Sequence, residues 1–319
     1  MLLKSIHWLV FGVMQLDPGD RFAQAFHFFL YDSIKIFFLL FVMIAVIGFL
    51  RTYLPHDKVA RWLTKRGGWG NVFAATFGAV TPFCSCSSIP LFLGFLKAGI
   101  PLGVTFSFLI TSPLINEYLV VLMLGFFGWK ITLLYVASGM LIGIVSGMVL
   151  GRMRLERFLV PDMVEGEAVP EAQVHHHFKS RLLFGIDEAT QIIRKIWIWI
   201  FVGVGVGALI HNYVPEEAVQ SVLHRAGAFS VPIATLIGVP LYGSCSAVIP
   251  IAVALFQKGI PLGTALAFLM GIAALSVPEA IMLRRAMRIP LIATFFGITT
   301  LAIIFTGYAF NALQPLLNR

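Results

Sequence analysis

Apolar runs at about residues 28–50, 130–151 and 290–312 each reach the roughly 20 residues that a helix needs to cross a bilayer. Runs of this length leave a chain few options, because hydrocarbon cannot satisfy a backbone N–H or carbonyl and the segment must bond to itself. Composition agrees: 59% of residues are hydrophobic and 12% charged, with a mean hydropathy of +0.90, whereas a soluble domain carries roughly 25% charged residues. The expected fold class is an all-α polytopic membrane protein. In that setting the net charge of +8 marks cytoplasmic loops, so the lipid bilayer is an expected partner and nucleic acid is not. Three cysteines in matched segments do not resemble the paired framework of a secreted domain. Residues 5–14 are apolar, but Asp17-Pro-Gly-Asp20 follows them instead of a small-residue cleavage site. Residues 1–27 are therefore expected to lie along the interface.

The chain repeats itself. In the first half a span at 28–50 ends at Arg51, and a basic amphipathic stretch, 58–66, follows. An apolar arm at 70–80, a polar break at 81–88 and a second arm at 89–97 come next. Gly99-Ile-Pro-Leu-Gly103 then turns the chain into a span at about 102–127, interrupted at Thr111-Ser-Pro113, and a span at 130–151 closes the half. That last span carries Gly139, Gly143, Gly147 and Gly151 four residues apart, a flat face for close helix packing. After a polar connector at 152–180 the same order returns. A span ends near Ile210, an amphipathic stretch covers 215–226, and arms at about 229–239 and 248–258 flank a second break. Gly259-Ile-Pro-Leu-Gly263 matches the first turn at an offset of 160, and an interruption follows at Ser276-Val-Pro278. The expected division is 1–27 interfacial, 28–151 first repeat, 152–180 cytoplasmic connector and 181–319 second repeat.

Each arm of about ten residues covers roughly 15 Å as helix, half of a hydrocarbon core of roughly 30 Å. If each pair of arms dips in and returns, the positive residues divide sixteen to seven between the two sides; if each pair crosses, they divide thirteen to ten. The first division obeys the positive-inside rule more clearly. It also leaves three crossings per half, so the halves would be inverted, a recurring plan of secondary transporters.

The two breaks are the expected working site. They read Thr81-Pro-Phe-Cys-Ser-Cys-Ser-Ser-Ile-Pro90 and Pro240-Leu-Tyr-Gly-Ser-Cys-Ser-Ala-Val-Ile-Pro250, and they hold every thiol in the chain: Cys84, Cys86 and Cys245. Helix-breaking polar backbone is tolerated at membrane depth where protein or a watery cavity surrounds it. Thr81, Ser85, Ser87, Ser88, Ser244 and Ser246 add hydroxyls, and Pro82, Pro90, Pro113, Pro240, Pro250 and Pro278 are the expected hinges. Soft thiolates select Cu(I), zinc and similar thiophilic species, and trivalent arsenic belongs with these, so the three cysteines are also candidate metal ligands. The bland alternative is that cysteine fills space as a small apolar side chain. Glu117 beside Asn116, and Glu279 beside Pro278, are intramembrane acids able to carry a coupling proton, unless they lie near the interface. Lys97 and Lys258 read as snorkelling cations, the His175–His177 tract as a solvated loop, and Arg284, Arg285 and Arg288 as an orientation signal. No cofactor is called for.

Three stretches, Thr81-Pro-Phe-Cys-Ser-Cys-Ser-Ser-Ile-Pro-Leu91, Gly99-Ile-Pro-Leu-Gly103 and Ser112-Pro-Leu-Ile-Asn-Glu117, resemble the ArsP/YraQ-type permease family, as does Ser276-Val-Pro-Glu-Ala-Ile-Met-Leu-Arg-Arg285 in the second half. The resemblance covers about 28 to 312. It implies an inner-membrane permease, not an enzyme, exporting trivalent organoarsenicals, with Cys84 and Cys86 as substrate ligands. Three functions stay open on the residues themselves. They are a secondary efflux transporter for a thiophilic small molecule, an intramembrane thiol/disulfide redox protein, and a channel or membrane subunit. The glycine-spaced faces would also suit a homodimer.

Overall fold

The computed structural model describes residues 6–17, 19–51, 69–81, 85–97, 99–160, 178–213, 216–241, 245–284 and 286–317. These are almost entirely helical, and the one β feature among them is an isolated antiparallel bridge between Leu159 and Met287. A π-helical turn, Trp8–Val13, precedes α1 (Arg21–Arg51). The first half continues with α2 (Trp69–Val80), α3 (Ser85–Lys97), α4 (Leu102–Leu114) and α5 (Glu117–Arg152). A 3-10 turn, Leu155–Phe158, leads towards α6 (Phe178–Tyr213), α7 (Glu216–Arg225), α8 (Ser230–Gly238), α9 (Cys245–Gln257), α10 (Leu262–Ala274), α11 (Val277–Leu283) and α12 (Ile289–Leu317). Stretches at 119–152, 262–283 and 289–316 are long and apolar enough to cross a membrane. The protein is a multi-pass, all-helical membrane protein.

The expected repeat recurs in local packing. Gly99 and Gly259 hold φ of 75° and 88°, a left-handed turn that glycine adopts without a Cβ clash. The amide of Ile100 bonds back to Phe95 O and that of Ile260 to Leu255 O, each at 3.1 Å, closing the same C-terminal motif. Pro101 and Pro261 then start α4 and α10 with near-identical backbone angles. A Cβ on Gly78 would lie 3.0 Å from Phe108 O, and one on Gly238 would lie 3.0 Å from Phe268 O. Thus α2 on α4 and α8 on α10 touch backbone to backbone at the same register.

The glycine face of α5 packs as expected. Gly143 meets Thr111, Gly147 meets Ser107 and Gly103, and a Cβ on Gly103 would fall 2.6 Å from Gly147 O. Backbones this close are how small residues bind membrane helices together by van der Waals contact. On the other side Asn71 of α2 ties on to the same stretch of α4, its Nδ2 donating to Gly103 O at 3.0 Å and to Ser107 Oγ at 2.8 Å. The first helices of the two halves, α1 and α6, pack along one another. Gly185 lies against the Ala45 carbonyl there, and Phe201 between Phe29 and Phe37. The outer faces of α5 and α12 leave Leu133, Leu141, Leu301 and Phe305 exposed, as lipid contact requires.

Three boundaries differ from expectation. The chain re-enters helix at Ser85 and at Cys245, so the breaks are shorter and the second arms longer than 89–97 and 248–258. Pro90 and Pro250 lie inside α3 and α9 and not in the gaps; each removes a single helical bond, and the turns around it persist. The interruption expected at Thr111-Ser-Pro113 falls at 115–116, because α4 runs through Pro113 to Leu114 before Ile115 turns extended. The long α5 is two helices meeting at Gly128, whose φ of 77° and ψ of 173° are not helical. That kink restores the expected separation of a span ending near 127 from one starting near 130.

At the amino end, His7, Phe11 and His27 form a ring cluster with centroids 4.8 to 5.8 Å apart, over the buried Ile6 and Val10. Burial, and then the neighbouring His7, hold the His27 imidazole below the usual histidine range. The docked turn thus favours a neutral His27 ring, whereas an undocked His27 titrates at its ordinary value. Docking is expected to be complete above that value and to weaken as pH falls through it. The protection factor of residues 6–13 against hydrogen exchange, corrected for the intrinsic rate, should fall between neutral and mildly acid pH, and His27→Phe should remove that fall.

Candidate functional site

Each break separates a helix end from a helix start. At the first, α2 stops at Val80 and the half-buried Thr81 closes it, its hydroxyl donating to Phe77 O at 2.6 Å. Pro82 and Cys84 lie outside the described residues. Ser85, Cys86 and Ser87 form the first turn of α3, and their side chains lie outside them too. At the second break α8 ends at Gly238 and Pro240 follows in a turn. Ser244 is outside the described residues, and Cys245 and Ser246 open α9 with undescribed side chains. The amides of a first helical turn have no partner within the helix. Pro90 and Pro250 lack the N–H that would bond four residues back, so the carbonyls of Cys86 and Ser246 receive no helical bond from those positions. Both breaks therefore present backbone donors and acceptors at matched places.

The second interruption in each half is tied to the first. In the second half the Val277 amide, at the start of α11, donates to Val239 O at 3.0 Å. In the first, Ser88 Oγ of α3 and Ser112 Oγ of α4 hydrogen-bond at 2.8 Å, both fully buried. The halves then interlock: α11 packs on α3, and α9 packs on α5, with Phe127 and Phe256 rings 5.7 Å apart. The helix whose first turn holds Cys86 therefore touches the short helix carrying Glu279.

Glu279 is fully buried, and neither carboxylate oxygen has a hydrogen-bond partner among the described residues. Glu117 is exposed at the start of α5 and Asn116 half-buried beside it, so the two acids named from sequence occupy unlike surroundings. No group of three metal-ligating side chains occurs among the described residues, a set that excludes the thiols. The basic stretch 58–66 and His175–His177 also lie outside them.

Two features escaped sequence reasoning. At the offset of 160, Cys84-Ser85-Cys86 aligns with Ser244-Cys245-Ser246, so the two breaks carry complementary thiol patterns. Likewise Ser88 and Ser112 align with Val248 and Ile272, and Glu279 with Leu119. The first half supplies buried hydroxyls and the second a buried carboxyl. The other feature is Asp32-Ser33 on α1, both buried; an acid within an apolar run was the signal that could have found it.

Comparison with known proteins is consistent with this architecture. The family ArsP_1, described as "Predicted permease", matches residues 21–312. A Streptococcus mutans protein named "Putative two-component membrane permease complex subunit" is 25% identical over 201 residues, covering 60% of this chain and 65% of its own. "UPF0718 protein YcgR" of Bacillus subtilis is 26% identical over 138 residues, covering 42% of this chain and 47% of its own. "UPF0718 protein YraQ" of Escherichia coli is 24% identical over 265 residues, covering 80% and 73%. The chain thus spans about two thirds and about half of the length of the first two. No solved structure matches. With the family match running from the start of α1 to the last turns of α12, the chain belongs to the ArsP_1 family of predicted permeases.

Proposed function

We propose that this permease is a secondary transporter of the cytoplasmic (inner) membrane that exports a thiophilic small molecule or ion, a trivalent organoarsenical being the substrate class. Cys84, Cys86 and Cys245 capture the substrate, with Thr81, Ser85, Ser87, Ser244 and Ser246 around it. Glu279 carries the coupling proton; Glu117 and Asn116 are the less suited pair, given the exposure of Glu117. The observation that carries the reading is the packing of α3, whose first turn holds Cys86, on α11, which carries the buried Glu279 carboxyl with no hydrogen-bond partner among the described residues. Soft substrate ligands and a protonatable group would thereby share one interior.

The same reading takes 28–151 and 181–319 as inverted repeats flanking a cytoplasmic connector, with re-entrant hairpins. The Leu159–Met287 bridge supports it, since residues 152–160 and 284–288 must then share one side of the membrane. Between them lie α6 and the interrupted span 262–283, each taken as one crossing. That leaves the second hairpin with no net crossing. Equal packing of Gly78 and Gly238 extends the argument to the first.

Everted vesicles should accumulate trivalent phenylarsenical under a proton gradient, and Cys84→Ser plus Cys86→Ser should lower this to the level of empty vesicles. Accumulation that survives the double substitution would remove thiol capture from the mechanism. Zinc, copper, mercury and small sulfur compounds, run beside a Cys-less control, would then identify another cargo. The Streptococcus mutans relative's name favours a second reading, that this chain is one component of a two-part permease. Flux in reconstituted liposomes without any added protein would exclude that reading.

A further inference from the structure

We propose that the rim joining the two halves is a binding site for an anionic phospholipid headgroup. The chain leaving α5 pairs with the chain entering α12. Val160 N–H donates to Ala286 O at 3.0 Å, Arg288 N–H donates to Phe158 O at 2.8 Å, and Leu159 bridges Met287. Leu155, Leu159, Ala286 and Met287 are buried beneath this clip and fix it to the core. Its surface is strongly positive. Arg152, Arg154 and Arg157 come from one strand of the clip, Arg284 and Arg288 from the other, and all five are exposed. None makes an ion pair among the described residues; Arg157 instead lies over the Phe158 ring, 4.8 Å from its centroid. Within 152–160 and 284–288 the sole acid is Glu156.

The location selects the ligand. The clip lies at the carboxyl end of α5 and the amino end of α12, and the membrane-crossing stretches of both bury less than half of their residues inside the protein. Lipid chains must cover the remainder, so their headgroups lie level with these arginines. Exposed Met153 and Ile289 stand among the guanidiniums, an apolar and cationic mixture that suits the interface and not a soluble anion. Guanidinium pairs with a phosphodiester through two parallel hydrogen bonds. Basic pockets between membrane helices take acidic headgroups by the same chemistry. Because the arginines come from the end of α5 and from the approach to α12, one bound headgroup would hold these two helices together at this face.

The full-length protein in nanodiscs of phosphatidylcholine, with and without phosphatidylglycerol, tests this by native mass spectrometry and thermal unfolding. Phosphatidylglycerol is expected to remain bound after ejection and to raise the unfolding midpoint. The fourfold variant R154Q/R157Q/R284Q/R288Q should bind it roughly a thousandfold more weakly, whereas Lys130→Gln should bind as the parent does. Equal retention by the parent and the fourfold variant would overturn the proposal. So would equal protection by soluble glycerol phosphate, which would make the ligand a free anion. Binding seen only after Asp162, Glu165, Glu167 and Glu171 are neutralised would likewise overturn it, assigning the rim to the chain's own connector.

Discussion

Glu279→Gln is expected to yield a folded protein whose gradient-driven export has fallen to background. The amide keeps the shape of the side chain but cannot take up and release a proton. The wild-type carboxyl is fully buried with no hydrogen-bond partner among the described residues, an environment that disfavours a lasting charge. An acid retained in such a place within a membrane span is by default functional. Glu279→Leu sharpens the test, because leucine stands at the matched position, Leu119, of the first half. Removing an unpaired buried polar group should stabilise the protein by about 1–3 kcal/mol, seen as a higher melting point in detergent, while transport is lost. Gradient-driven export by Glu279→Gln at the wild-type rate would take the coupling role away from this residue. Loss of folding in both variants would reassign the carboxyl to structure.

The second large effect is predicted at the α4–α5 contact. A Cβ on Gly103 would stand 2.6 Å from Gly147 O and 2.7 Å from Gly151 Cα. Both are backbone atoms, so no side chain can rotate away. Gly103→Val must therefore push α4 and α5 apart along their seam, and the shift strains the Asn71 hydrogen bonds that tie α2 to the same stretch of α4. Overpacking commonly costs about 1–3 kcal/mol, and a rigid backbone contact belongs at the upper end or beyond. The expected result is loss of the monodisperse peak in fluorescence-detected size-exclusion chromatography. Gly125→Ala is the control, since nothing lies within 4 Å of its added carbon and alanine favours helix. A well-behaved Gly103→Val protein would show that the two helices are further apart than described.

Much of this was legible in the sequence, for physical reasons that can be named. The turn at Gly99-Ile-Pro-Leu-Gly103 announced itself because a left-handed glycine followed by proline has few other uses. The four-residue glycine spacing on α5 foretold a close seam, since membrane helices associate by backbone approach. Helix boundaries at the breaks were less legible. Proline at 90 and 250 reads as a stop, yet a helix survives the loss of one bond when the turns on either side are intact. The pairing of Ser88 with Ser112 joins residues separated by a turn and the length of a helix, and no local pattern encodes it. Glu117 and Glu279 looked alike in sequence, each just after a proline-marked interruption. Two residues of register put one on the surface and the other in the interior.

The matched turns and helix contacts of the two halves do not extend to the interior: Ser88 and Ser112 correspond to Val248 and Ile272, and Leu119 to Glu279. If the halves exchange roles as the carrier turns, its inward-facing and outward-facing forms differ in free energy even with nothing bound. An empty carrier would then wait on a preferred side of the membrane, and cargo binding there would have to supply the difference before the reverse face could open.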